Sequence, residues 1–461
     1  MFVPKLEKLM GMEVYATNSL GIGGVIRQFV DDFIVEEILV DGSKAEIKRE
    51  GSSSEPKVLG SSAERKRYLL CVLAKRNWDT FLAIETIARQ LGINTGDIQF
   101  AGIKDAKAIT AQYITVDGIS AEDILKVHVK DMEIHPVGYI RNKLSSYYLL
   151  GNSFNITIRA INRSKPTIGK RIGKTIEELT AASGVPNFFG HQRFGTVRPI
   201  THFVGKALVK GNFKKAVMLF LAKPSSYEHP ESRKAREQLQ KTQDFRQSLK
   251  SFPKQLHYER LMLKHLAQKP KDFVGAFRRL PIKLRELFPQ SYQAYLFNKF
   301  LSKRIAVGLP LNKAEVGDYV VSVQRSGLPL LTMYKIVETE NHAEVNNAIE
   351  AGRMLLALPL IGFKQKSSQG VQGEIERQIL EEEGITPANF KIKNMPETSQ
   401  KGELRTALTP LNNFQLKEIS ADSANPSKNM IKISFTLHRG SYATVLLREI
   451  MKPRSLLKAG F

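Results

Sequence analysis

Phe154-Asn-Ile-Thr-Ile-Arg159 alternates apolar and polar residues, and Met430-Ile-Lys-Ile-Ser-Phe-Thr-Leu437 repeats the pattern near the other end of the chain. A period of two is that of a half-buried strand. Phe414 to Ile419 alternates as well. Towards the N-terminus, Gly23 to Ile38 reads as two short strands around an acidic turn, Tyr68 to Leu73 as an apolar strand and Gln112 to Val116 as another. Helices are few in this part. Asp79 offers a cap to one in which Phe81, Ile84, Ile87, Ala88 and Leu91 recur at helical spacing before Gly92 stops it. Ile168 to Ala182 reads as a second helix. From Gly205 to Lys303 the pattern is mostly helical and very basic. Pro310 to Leu331 is turn-rich with short strands, Ala343 to Ala357 is mixed, Glu374 to Glu383 is an acidic helix, and Ser441 to Met451 is a final helix. Sheet segments at both ends around a helical middle predict an α+β protein. One discontinuous domain, 1–204 and 405–461, would carry an inserted domain, 205–404. Residues 41–66, rich in Ser, Gly and charge, read as a flexible loop.

The chain has 461 residues, enough for two or three domains with ample cores. Cys71 is its single cysteine, which excludes a disulfide framework and any multi-cysteine metal site. The nine histidines show no zinc-hydrolase spacing, and neither a Walker loop nor G-x-G-x-x-G occurs, so neither a metal nor a nucleotide cofactor is expected. No apolar run approaches a membrane span and no signal-peptide core precedes the first strands, which predicts a soluble cytoplasmic protein. The formal net charge is +24. Thr201 to Pro310 holds 23 Lys and Arg against 7 Asp and Glu, a net +16, two-thirds of the excess. The surplus is interleaved with aromatics on amphipathic helices (Phe213, Lys214, Lys215; Phe277, Arg278, Arg279), so it lies on folded surface and predicts a polyanionic partner.

Four segments bear on chemistry. In Phe100-Ala-Gly-Ile-Lys-Asp-Ala-Lys107 a lone Asp105 sits in a turn between Lys104 and Lys107. A carboxylate among cations is suited to nucleophilic rather than acid catalysis, although most turn aspartates only bond their own backbone. Val185-Pro-Asn-Phe-Phe-Gly-His-Gln-Arg-Phe-Gly195 combines glycines for close backbone approach, aromatic faces that can stack a base, and amides that can read one. A plain aromatic anchor on the core is as good a reading of that loop. Gln290 to Asn298 has the spacing of a core helix. Arg439-Gly-Ser, at the start of the last helix, could contact phosphate.

Taken together these segments resemble the TruD family of pseudouridine synthases. Gly102-Ile-Lys-Asp-Ala-Lys-Ala-Ile-Thr-Ala-Gln112 is similar to its catalytic motif, Asn187 to Gly195 to its second, and Gly440-Ser-Tyr-Ala-Thr444 with Arg448-Glu449 to its third. Asp32 to Glu37, Lys75 to Thr80, Leu149 to Phe154 and Arg405 fit in the same order. The resemblance implies isomerisation of uridine to pseudouridine, classically at position 13 of transfer RNA, without a cofactor, on a mixed and mainly antiparallel sheet. It implies transfer RNA as partner, with other structured RNA as a second class. Asp105 matches the catalytic carboxylate, Arg27 the cation that pairs with it, Asn187 the amide beside the target base and Phe189 the aromatic that stacks on it. Lys104, Gln192, Arg193 and Arg439 are expected to touch substrate, and the basic insertion to bind RNA. His191 is given no role. Tyr147-Tyr148 stands where the family often has Gly-His, which puts local RNA contacts there in doubt. Competing classes are a non-catalytic RNA-binding or ribosome-assembly protein on a decayed scaffold, which would have lost Asp105, Arg27 or Asn187, and an RNA hydrolase or glycosylase, which would need a positioned water and usually a second acid.

Overall fold

The computed structural model describes residues 2–47, 56–60, 68–195 and 197–461, which form two compact units. One comprises Thr17–Val185, Gln324–Leu328 and Thr409–Phe461. Its main element is an eight-stranded sheet. Seven strands run in the order Asn412–Ala421, Asn429–His438, Leu149–Ile161, Phe33–Leu39, Ile109–Asp117, Tyr68–Arg76 and Met132–Ile140, while Ile98–Phe100 also pairs with Ile109–Asp117. Only the Phe33–Leu39 and Ile109–Asp117 pair is parallel, so the sheet is mixed and mainly antiparallel as expected.

The two alternating segments from opposite ends of the chain are partners. Phe154 lies opposite Phe435, Ile156 opposite Ile433 and Ile158 opposite Ile431. The Phe154 and Phe435 rings stack at 5.2 Å, a cross-strand contact of the kind that sets register. Gly151 pairs with His438, and a Cβ there would fall 2.1 Å from the Leu437 carbonyl oxygen, so only glycine fits. Ile109–Asp117 is covered on both faces, Ile114 and Val116 packing in one core cluster and Ala111 and Tyr113 in another. Its polar Thr110, Gln112 and Thr115 are therefore buried along with its apolar residues, a run that reads as continuous rather than alternating.

The second unit comprises Met1–Ala16, Pro186–Val323 and Pro329–Leu408. Seven helices, from Thr201–Val209 to the long Ile282–Ala306, precede a four-stranded sheet ordered Glu403–Thr406, Met354–Leu360, Tyr319–Val323, Pro329–Ile336. Helices His342–Glu350 and Gly370–Glu383 complete it.

Three expectations change, and one strand is found that the sequence reading did not name. The boundaries fall at Val185/Pro186 and Leu408/Thr409 rather than at 204/205 and 404/405, and the first sixteen residues join the helical unit. The reason is the long helix. Its Asn298 amide donates to Met10 O at 3.0 Å and Ser302 Oγ donates to Gly11 O at 2.7 Å, while Phe189 N–H donates to Asn298 Oδ1 at 2.8 Å. Gly23 to Ile38 holds one strand, not two, because Val25 makes only a single bridge to Arg159. Met132–Ile140 is a strand that its Pro136 and Gly138 conceal, and the pairing accommodates them at an irregularity beside Leu70 and Cys71. The 41–66 loop lies partly outside the described residues. Within them Ala45 and Leu59 are fully buried, so those stretches are anchored to the core.

Candidate active site

Strand Ile98–Phe100 delivers the chain into the Gly102–Asp105 turn, and Ile109 takes it back into the sheet. Every side of that turn is held. Gln112 Nε2 donates to Gly102 O at 3.1 Å. Thr80 Oγ1 donates to Lys104 O at 3.3 Å and accepts from Lys104 N–H at 3.1 Å. The Lys104 ammonium, almost fully buried, meets Glu37 Oε1 at 2.6 Å and Asn152 Oδ1 at 2.8 Å. Glu37 in turn accepts from the Tyr113 N–H at 3.0 Å. Ile103, two positions before Asp105 in the turn, stands 62% exposed.

Asp105 keeps 22% of its side chain accessible. Arg27 Nη2 donates to its Oδ1 at 3.1 Å, and the guanidinium lies 4.0 Å over the Phe33 ring. Burial pulls the Arg27 pKa down and the Asp105 charge opposes that shift. Lys75, only 1% exposed, donates from below to Trp78 O at 2.6 Å and to the Asp105 carbonyl oxygen at 3.3 Å. Its pKa falls to about 8, chiefly through burial, with the charges of Asp105 and Asp79 acting against that. The pairing of Asp105 with Arg27 expected from the sequence is present. Lys104, expected to touch substrate, is instead turned inward onto Glu37 and Asn152. Lys75 carries no expected role of its own, although a lysine that continues the apolar run Leu69 to Ala74 is a visible signal.

A second cluster belongs to the helical unit. Asn187, nearly buried, donates to Thr406 Oγ1 at 3.1 Å, while Arg405 donates to its backbone oxygen at 2.9 Å and to its Oδ1 at 2.6 Å. The same guanidinium lies 4.0 Å over the Phe189 ring, which meets Phe297 edge-on at 5.7 Å and is only 8% exposed. Arg405 thus organises both expected base contacts, whereas in the sequence it is only a motif match. Gln192 is exposed on a short turn of helix, and Arg193 reaches Gln290 Oε1 at 3.3 Å. Arg439 donates to the carbonyls of Ser146 and of Tyr147 (3.1 Å for the latter), bracing the loop in which this chain departs from the family pattern.

Of the basic residues singled out in the insertion, Lys214 and Lys215 are exposed. Arg278 donates to Asn394 O at 3.1 Å and Arg279 to His265 Nδ1 at 3.2 Å. A hollow of about 430 Å³ in the same unit is lined by Lys210, Lys391 and Lys393 over an apolar floor that includes Phe213 and Ile392. No described helix is long and apolar enough to cross a membrane.

Comparison with known proteins agrees along the whole chain. Residues 9–450 match the model of the family described as tRNA pseudouridine synthase D (TruD). A Methanosarcina mazei protein named "Probable tRNA pseudouridine synthase D" is 39% identical over 457 residues, 99% of either chain. A Pyrococcus abyssi protein of the same name is 36% identical over 439 residues, 95% of this chain and 98% of that one. A solved crystal structure of the Methanosarcina mazei TruD protein superposes with a TM-score of 0.82 over 98% of this chain and 99% of its own, at 39% identity. With the fold, the ordered motifs and these relatives in accord, the chain belongs to the TruD family of tRNA pseudouridine synthases.

Proposed function

We propose that the protein isomerises uridine to pseudouridine in transfer RNA, at position 13, with the Asp105 carboxylate as the reacting group. The observation that supports this most directly is the ion pair of Arg27 with Asp105, 3.1 Å long, at a turn whose backbone is held at Gly102, Lys104 and Asp105 while the Asp105 side chain stays 22% accessible. In the isomerisation the C1′–N1 bond breaks and C1′–C5 forms, C5 loses a proton and N1 gains one. The change is redox-neutral and both ends belong to one substrate. Adding to C6, attacking C1′ and abstracting the 2′ proton all require the ionised carboxylate, the form that pairs with a guanidinium.

A uridine within folded RNA must be flipped out to reach such a carboxylate, at a cost of a few kcal/mol in lost stacking. Phe189 and Asn187 are the groups we assign to receive it. The basic helical unit would supply the affinity for the RNA backbone, and other structured RNAs are a second substrate class.

The test is release of tritium from transfer RNA labelled at uridine C5. The wild-type protein should release it, Asp105→Asn should abolish release while binding RNA within about twofold, and a transcript with cytidine at position 13 should lose the modified site. Full activity in the Asn variant would sink the assignment of Asp105; unchanged release from the altered transcript would sink the position.

A further inference from the structure

The segment Lys75 to Thr80 holds the catalytic turn at the backbone of two successive residues, Lys104 and Asp105. Thr80, the first residue of helix Thr80–Leu91, both donates to and accepts from the backbone of Lys104. Lys75 donates to the backbone oxygen of Asp105 and, with the same ammonium, to Trp78 O. The Asp105 Cα is therefore anchored on both sides, and only side-chain rotation remains free to the carboxylate, which Arg27 then restrains. A lysine is a costly means of filling a buried strand position that methionine would fill in similar volume. Its place here is explained by the two carbonyl oxygens it reaches.

We propose that Lys75 and Thr80 are positioning residues of this reaction, setting the main chain of the turn so that Asp105 meets the uridine, and that turnover requires Lys75 in its ammonium form. The inference rests on the reading of Asp105 given above. The charged groups that face Lys75 are Asp105 and Asp79, which favour the ammonium, and Lys104, which opposes it; burial is the largest influence and places the transition near pH 8.

This has a consequence that a purely structural lysine would not. Between about pH 8 and the ordinary lysine value of 10.5 the unfolded chain keeps a proton that the folded one has lost. Stability from this group then rises with pH while the charge that turnover needs disappears. Activity and stability move in opposite directions.

The experiment measures tritium release against transfer RNA concentration from about pH 6 to pH 10, with melting temperatures, for wild type, Lys75→Met and Thr80→Val. Wild-type kcat should fall above about pH 8 while its melting temperature gains on that of K75M. K75M should lose at least about tenfold in kcat near pH 7, keep KM within about threefold, and lack the alkaline fall. T80V should lose kcat and retain that fall. Wild-type kcat in both variants, or an unchanged alkaline limb in K75M, overturns the proposal. If K75M does not accumulate as folded protein, T80V decides it: wild-type kcat there overturns it. An inactive wild type would instead refute the reading of Asp105 on which it stands.

Discussion

Arg27 adopts a left-handed backbone conformation, φ +56°, that costs a non-glycine residue on the order of 1 kcal/mol or more. The cost goes with a guanidinium held between Phe33 and Asp105. Arg27→Gly separates the two effects. It relieves the backbone and removes the cation, so kcat should fall by roughly 10²-fold while the melting temperature changes by no more than about 3 °C. A variant that keeps full turnover in the tritium assay would remove Arg27 from the mechanism. Arg405 makes a parallel case in the other unit. Its planar fork bonds two oxygens of Asn187 and covers Phe189, which a lysine cannot do together. Arg405→Lys should therefore resemble Arg405→Ala, with kcat down about tenfold or more; near-wild-type kcat in R405K would show that charge alone suffices.

Elements with strong local punctuation were legible. Asp79 accepts from the N–H groups of Phe81 and Leu82, and Gly92 ends the helix at φ +66°, as the cap and stop residues imply. Met132–Ile140 was not legible, because its pairing with Tyr68–Arg76 depends on a distant strand absorbing a proline. Helix Gly370–Glu383 hides another tertiary effect. Glu376, within the segment that the sequence shows only as an acidic helix, is fully buried, bonded to Gln372 Nε2 at 3.0 Å and the Ser368 N–H at 2.8 Å. Burial raises its pKa to about 7 from 4.5. Between those values the folded state holds a proton the unfolded chain has released, so stability falls as pH rises through the window. Glu376→Gln removes that dependence. Its melting temperature should gain about 2–4 °C on wild type between pH 5.5 and pH 8. An equal difference at both pH values would show that Glu376 ionises normally.

At the scale of the molecule the +24 net charge is the dominant quantity, and folding decides where it is available. Arg278 and Arg279, prominent in the sequence, donate to Asn394 and His265, while Lys210, Lys391 and Lys393 converge on one hollow from segments about 180 residues apart in the chain. Neutralising these three lysines to glutamine should flatten the salt dependence of transfer RNA binding. The log–log slope should fall by about 2–3, close to one unit for each phosphate no longer neutralised, with kcat at saturation unchanged. A wild-type slope in the triple variant would place the RNA footprint elsewhere on the unit.

Sequence alone determined the α+β class, the sheet split between the two ends of the chain and the basic middle, and the family resemblance pointed to the pairing of Asp105 with Arg27 that the structure contains. Period-two alternation, caps, charge and contiguous motifs are local properties, and the chain carries them unfolded. Tertiary structure decided which strands pair, where one unit gives way to the other, and that Lys104 turns inward while Lys75, thirty positions upstream of Asp105, reaches its backbone. Those outcomes depend on burial and on partners distant in sequence: a lysine's surroundings, and hence its charge and its role, exist only after the sheet has closed around it.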